Sequence, residues 1–254
     1  MLKGKQQLTL TVHHRSDTGR VRDHNEDYVG YRQPEEQVQA EAGWLYAVAD
    51  GVGGARAGEI ASKLAVQTLL ATYYDSTQEM PADRLREAFT EANRAVYDRA
   101  SEQGGLLHMS TTLVAAVVQD RELTVANVGD SRAYLIHRGQ IRQITHDHSM
   151  VARLIDEGVI TAEQAESHPR RHVLSRSIGT HPHVVPDLFT EALHPGDRLL
   201  LCTDGLTDMV DEARIADVLR SEPDPQAASA NLADAANAAG GNDNVTVVIV
   251  DYGG

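Results

Sequence analysis

The sequence predicts one α+β domain in which helices cover packed antiparallel sheets, and three observations carry that reading. Apolar runs at the strand period follow one another over 111–118, 122–128 and 132–137, joined by tight turns. Two helical stretches precede these runs and two follow them, so helices are available to cover both outer faces. No repeat, linker or composition shift divides the 254 residues, so 1–254 reads as a single domain.

Each element can be justified in order. Leu8, Leu10 and Val12 alternate with Thr9, Thr11 and His13, which predicts an opening strand. Residues 27–32 are a candidate partner for a later strand, and 34–42 is polar and loop-like. Trp44 to Ala49 is a short apolar run suited to a buried strand. A long helix is expected from about Arg56 to Tyr74, with Ala57, Ala61, Leu64, Thr68 and Ala71 as its small-residue face. Leu85, Ala88, Phe89, Ala92 and Val96 fall at the helical period, and Gly104-Gly105 closes that helix.

The meander follows, with Gln119-Asp120-Arg121 and Arg138-Gly139-Gln140 as its turns, the second holding a glycine able to take positive φ. Residues 148–186 hold several histidines and arginines, with short helices at Met150–Asp156 and Ala162–Glu166. They read either as a flap over a site or as an ordinary connecting excursion. Arg198 to Thr203 returns to strand. Helices are expected over Asp211–Leu219 and Ala227–Ala239, then a last strand over Asn244–Val250.

Four aspartates share one local setting, at the end of an apolar run with glycine or asparagine beside them. They are Asp50, Asp130, Asp204 and Asp243. Strand ends converge on one rim of a sheet, so these carboxylates can meet. Like charges gathered in one place are costly unless a cation neutralises them, and all-oxygen clusters suit hard ions such as Mg²⁺ or Mn²⁺. This predicts a metal-dependent hydrolytic site. Each aspartate alone reads more often as turn chemistry than as a ligand; the joint pattern reverses that.

The formal charge of −14 argues against nucleic acid or an anionic membrane as a partner. Aromatics make up only 4% of residues, so the core must rest on Leu, Val, Ile and Ala. The single cysteine, Cys202, lies inside an apolar strand, where a buried structural thiol is expected rather than a nucleophile. With no internal disulfide, no signal-like N-terminus and no apolar run of membrane-spanning length, a soluble cytoplasmic protein is expected.

Taken together, the motifs Arg22-Asp-His-Asn-Glu-Asp27, Val48-Ala-Asp-Gly-Val-Gly-Gly54, Ser110-Thr-Thr112, Asn127-Val-Gly-Asp-Ser-Arg132, Thr145-His-Asp-His-Ser149, Leu174-Ser-Arg-Ser-Ile-Gly179, Thr203-Asp-Gly-Leu206 and Gly241-Asn-Asp-Asn244 resemble, in order, those of the metal-dependent protein phosphatases, the protein phosphatase 2C-like serine/threonine phosphatases. The resemblance runs from Arg22 to Val250. It implies an αββα sandwich with two Mg²⁺ or Mn²⁺ ions at one rim. Asp50 would bridge the ions, the Gly51 carbonyl would bind one, and Asp204 and Asp243 the other. Glu26 would act through water, with Asp27 as a supporting carboxylate. Asp130 and Asp204 would share a third ion, as in bacterial members. Arg22 would bind the substrate phosphate, which suits a non-titrating, bidentate cation. The implied chemistry is in-line attack on phosphoserine or phosphothreonine by an ion-bridging hydroxide, without a phosphoenzyme.

Two positions depart from the family pattern. Val52 stands where animal members often carry a proton-donating histidine, which leaves the general acid unassigned; water on a third ion, His146, His148 and His172 are the candidates. Ser110 stands where bacterial members usually have glycine. The implied partners are phosphorylated proteins, a serine/threonine kinase among them, acted on by a monomer. A nucleotide-binding reading of Gly51-Val-Gly-Gly54 fails, because Arg56 occupies the sixth fingerprint position and the lysines are only Lys3, Lys5 and Lys63. A catalytically silent binding module and a phosphatase of small phosphoesters remain as the competing expectations.

Overall fold

The computed structural model describes residues 9–32, 42–53, 56–102 and 109–253. The strands are β1 (Thr9–Asp17), β2 (Tyr28–Arg32), β3 (Trp44–Ala49), β4 (Gly51–Val52), β5 (Ser110–Thr111), β6 (Leu113–Gln119), β7 (Glu122–Val128), β8 (Arg132–His137), β9 (Gln140–Gln143), β10 (Asp187–Ala192), β11 (Asp197–Cys202) and β12 (Val245–Gly253). The helices are α1 (Ala57–Asp75), α2 (Pro81–Glu102), α3 (Met150–Asp156), α4 (Ala162–Glu166), α5 (Asp204–Thr207), α6 (Glu212–Ser221) and α7 (Pro225–Ala238). One five-stranded sheet runs β1-β12-β11-β8-β9 and the other β10-β7-β6-β3-β2, every neighbour antiparallel. Helices α1 and α2 cover the second sheet; α6 and α7 cover the first. This is the expected αββα sandwich.

The central strands are apolar on both faces because both faces are covered. In β6, Leu113, Ala115 and Val117 pack under the helices, while Val114, Ala116 and Val118 meet the opposite sheet. In β12, Val245, Val247 and Ile249 face α7, while Val248, Val250 and Tyr252 face inward. Each fully buried aliphatic side chain contributes about 1.5–3 kcal/mol, and a one-residue slip would exchange the two faces of a strand. Cys202 is buried on the α7 side, as its apolar run requires.

Several boundaries follow local chemistry. Ser149 caps α3, Thr161 and Gln164 form a capping box on α4, and Asp211 and Asp224 cap α6 and α7. The face of α1 differs from expectation: Ala61, Ala65, Val66, Leu69 and Tyr73 are buried, whereas Leu64 and Thr68 are half-buried and Ala71 is exposed. Alanine and threonine occur in both helical registers of this stretch, so small residues could not orient it. Two edge strands, β9 and β10, carry no clean alternation because their half-polar sequences lie at the margins. The expectations for Leu8, 34–41 and Gly104-Gly105 fall outside the described residues.

Candidate metal centre

The register gathers the four aspartates. β3 and β7 end where β6 begins, and β11 ends where β8 and β12 begin. Val128 to Arg132 crosses between the sheets at that rim, so Asp50, Asp130, Asp204 and Asp243 all lie on it.

Neutral side chains set the backbone there. The Asp50 N–H donates to Thr112 Oγ1 (2.9 Å), and the Asp50 carbonyl accepts from Thr111 Oγ1 (2.7 Å) and the Thr112 N–H (2.9 Å). Buried Asn244 holds the loop bearing Arg22 and Glu26. Its Oδ1 accepts from the Glu26 N–H (2.8 Å), and its Nδ2 donates to the Thr18 and His24 carbonyls, both at 2.9 Å. Gly51 packs so closely that a Cβ would lie 2.2 Å from the Gly58 carbonyl oxygen and 2.6 Å from that of Glu26. Only glycine permits this approach of β4, α1 and the Glu26 loop.

The electrostatics are those of crowded, desolvated carboxylates. Burial pushes Asp50 well above the ordinary carboxylate range, and Asp27, Asp204 and Asp130 push it further; Asp50 and Asp204 are close enough to share a proton. Burial and then Asp208 raise Asp204 to about 6, against the pull of its hydrogen bond with Asp50. Burial, Asp204 and Asp147 hold Asp130 well above its usual value. Asp27 rises to about 7 through burial, with its hydrogen bond from Thr203 Oγ1 (2.9 Å) opposing and Asp204 adding. Glu26 is also raised, by burial first, with Arg22 opposing and Asp243 reinforcing.

Arg22 reaches Asp243 Oδ2 at 2.7 Å, its side chain 53% exposed at the mouth. Val52 is 44% exposed. Of the three candidate histidines, His148 is buried with both ring nitrogens engaged, Nδ1 by the Gly129 N–H (3.1 Å) and Nε2 by Asp187 (3.1 Å). That arrangement makes His148 a strut between the β7–β8 turn and β10, and removes it as a proton donor. His146 pairs with Asp156, the last residue of α3 (3.2 Å). His172 alone reaches the acidic rim, its Nδ1 3.1 Å from Asp208 Oδ2.

Asp208 is the residue that sequence reasoning missed. One ligating atom each from His172, Asp204 and Asp208 lie within 4.8 Å of one another. The signal was the spacing of four between Asp204 and Asp208, which puts both carboxylates on one side of a helical turn. A groove lined by Asp130, Arg132, Asp147, His172, Asp204 and Asp208 runs from the rim beneath α3 and α4. Its arginine is spoken for, since Arg132 pairs with Asp147 at 2.7 Å.

These residues fit hard divalent ions. Oδ1 of Asp27 and Oδ1 of Asp204 are buried without a hydrogen-bond donor, an expensive condition that a cation relieves. The donors are oxygens, and glycine backbone approaches closely beside them.

The protein phosphatase 2C profile matches residues 20–237. The serine/threonine phosphatase stp of Listeria welshimeri is 39% identical over 241 residues, 93% of this chain and 94% of the relative. The crystal structure of the Mycobacterium tuberculosis serine/threonine phosphatase PstP/Ppp superposes with a TM-score of 0.86 at 38% identity, covering 98% of this chain and 100% of the other. The catalytic domain of PstP in complex with two manganese ions gives 0.85 at 36% identity, with the same coverage of 98% and 100%. Staphylococcus aureus Stp1 gives 0.89 at 36% identity, covering 97% and 96%. With matching motifs, layers and rim, this chain belongs to the protein phosphatase 2C family.

Proposed function

We infer that the chain is a metal-dependent phosphatase acting on phosphoserine and phosphothreonine in proteins. The observation that carries this is the rim itself: Asp50, Asp130 and Asp204 stand half-buried side by side, all with raised carboxyl pKa values, with an arginine at the mouth. Asp50, Asp204, Asp243 and the Gly51 carbonyl would hold the two core ions, with Glu26 reaching them through water and Asp130 serving a third. Bound divalent ions supply a Lewis acid for the phosphoryl group and bring the pKa of water near neutrality.

The chain's own residues do the positioning. Thr111 and Thr112 fix the Asp50 backbone, and Asn244 fixes the loop that presents Arg22 and Glu26. Arg22 orients two phosphoryl oxygens with a charge that does not titrate. Asp27 stays buried beneath Asp204 and keeps the floor hydrogen-bonded through Thr203. His172, which pairs with Asp208 at the rim, would exchange a proton with the leaving alkoxide.

The whole chain acts as one catalytic domain with 148–186 as its flap, and as a monomer. Its substrates are phosphoproteins in the cytoplasm, a serine/threonine kinase and its targets among them. In keeping with this, no described helix is long and apolar enough to cross a membrane. The test is phosphate release from a phosphothreonine peptide with Mn²⁺, with and without chelator, beside Asp50→Asn. Turnover that needs both the ion and Asp50 is expected. Activity surviving in chelator would refute the mechanism, and faster hydrolysis of a free small phosphoester than of the peptide would refute the protein substrate. Absence of turnover in folded, metal-loaded protein would point to a silent binding module.

A further inference from the structure

A second group of ligating side chains collects at the other end of β11, at the first of its six residues. β11 begins at Asp197. Pairing of Arg198 with Ile136 sets Asp197 beside His137, the last residue of β8. Both continue the inward-facing rows of Leu199 and Leu201 and of Ala133 and Leu135, so they close the far end of the space between the sheets.

Two turns fix the geometry. In His194-Pro195-Gly196-Asp197 the Asp197 N–H donates to the His194 carbonyl (2.9 Å) and Gly196 has φ +90°, the pattern of a type II turn with proline second and glycine third. The His194 N–H returns a bond to Asp197 Oδ2 (2.8 Å). His137 opens the β8–β9 hairpin, whose central residues Arg138 (φ 50°) and Gly139 (φ 77°) form a type I′ turn.

The result is compact. His137 Nδ1 lies 2.7 Å from Asp197 Oδ1, His194 Nδ1 lies 3.7 Å from Asp197 Oδ2, and the ring centroids are 5.0 Å apart. One ligating atom from each residue falls within 4.8 Å of the others. The Asp197 side chain is 2% exposed, and its ion-pair partners among the described residues are these two histidines, with no lysine or arginine.

We propose that His137, His194 and Asp197 form a binding site for a borderline transition-metal dication, Zn²⁺ foremost. Two imidazoles and a carboxylate are a donor set for Zn²⁺, Co²⁺ or Ni²⁺, in contrast to the oxygen-lined rim that suits Mg²⁺ or Mn²⁺. Ligand distances of about 2.0–2.1 Å in a tetrahedral site put donor atoms about 3.3 Å apart. The observed 2.7 and 3.7 Å bracket that spacing, so small ring rotations complete it. The His194 N–H on Oδ2 holds the carboxylate in orientation, with Oδ1 turned to His137 and Oδ2 to His194. His137 and His194 border a cleft that also exposes Arg142 and Glu191, through which an ion can enter and water complete its coordination. Such an ion ties β8, the β10–β11 turn and β11 together, and so links both sheets at the end remote from the acidic rim.

The test is Co²⁺ titration of the full chain with Mg²⁺ in millimolar excess to occupy the rim, read by visible d–d absorption. One Co²⁺ per chain with an intense band is expected, displaced by Zn²⁺. His194→Ala, a change at a side chain that is 59% exposed, should weaken Co²⁺ binding at least about tenfold. It should leave Mg²⁺-dependent phosphate release and the far-ultraviolet spectrum unchanged. Asp197→Asn should lose the band as well. An absent band, equal Co²⁺ affinity in His194→Ala, or a band lost instead in His172→Ala would overturn the proposal, the last by placing the ion on the rim.

Discussion

Asp50→Asn should stabilise the metal-free protein while abolishing its response to Mn²⁺. An unfolded aspartate titrates near 4, whereas burial and the neighbouring carboxylates hold folded Asp50 well above that. Between those limits the folded state carries more protons than the unfolded one. Stability therefore falls as pH rises, by about 1.4 kcal/mol per pH unit for each such group. Asp27, at about 7, follows the same course. Three pH units set a ceiling of about 4 kcal/mol for one carboxyl. Asparagine cannot ionise but leaves an amide in its place costing about 1–2 kcal/mol, so the net gain at pH 7 is at most about 2–3 kcal/mol. For a chain of 254 residues that is a rise in Tm of at most about 4–12 °C.

Bound ions act in the opposite sense on the wild type. At a hundredfold excess over Kd they add about 2.7 kcal/mol, and the variant should lose most of it. Thermal melts of both proteins at pH 7.5 and 5.5, in chelator and in Mn²⁺, separate the terms. The wild type in chelator should melt higher at pH 5.5 than at 7.5. A variant that melts below wild type in chelator, or that keeps the full Mn²⁺ shift, would refute the reasoning.

Other perturbations separate roles around the same rim. Arg22→Ala should raise KM about tenfold or more with a smaller change in kcat, if phosphate is held alike in ground and transition states; steady-state kinetics on a phosphopeptide decide it. Asp130→Ala should lower kcat more than it weakens phosphopeptide binding, which calorimetry with a non-hydrolysable analogue can check. Asn244→Ala removes three hydrogen bonds from a buried side chain and should cost about 2–4 kcal/mol. Its kcat/KM should fall along with its Tm, whereas a lowered Tm with normal kinetics would show that the loop holds its shape unaided.

Much of the fold was legible because its central strands obey simple rules. β6, β7, β8, β11 and β12 are continuous apolar runs, and the short helices at Met150–Asp156 and Ala162–Glu166 carry their own capping residues. Two edge strands were illegible for a physical reason: neither β9 nor β10 buries a residue fully, so their sequences need no clean apolar alternation. The orientation of α1 was misread because small residues fill two registers. At the rim, the aspartates announced themselves by their strand-end setting. Asp208 did not, since a carboxylate at the end of a short helix looks like a solvated surface group until the fold sets it beside Asp204 and His172. His148 misled in the opposite direction: in sequence it is one more flap histidine, and in the fold it is a buried strut.

The rim separates scaffold from charge. The backbone of Asp50 is held by Thr111 and Thr112, the Arg22–Glu26 loop by Asn244, and the floor by Thr203, which donates to Asp27 and accepts from the Thr246 N–H at 3.0 Å. None of these bonds uses the Asp50 or Asp204 carboxylates. Repulsion among those groups therefore raises the free energy of the folded state without pulling its loops apart, because apart from the Asp27 carboxyl on the floor the loops are tied by neutral donors and acceptors that do not titrate. A cation entering such a frame gains the full relief of that repulsion and pays little to reorganise it. That is the physical sense in which the threonines and Asn244, rather than the aspartates alone, would make this rim a metal centre.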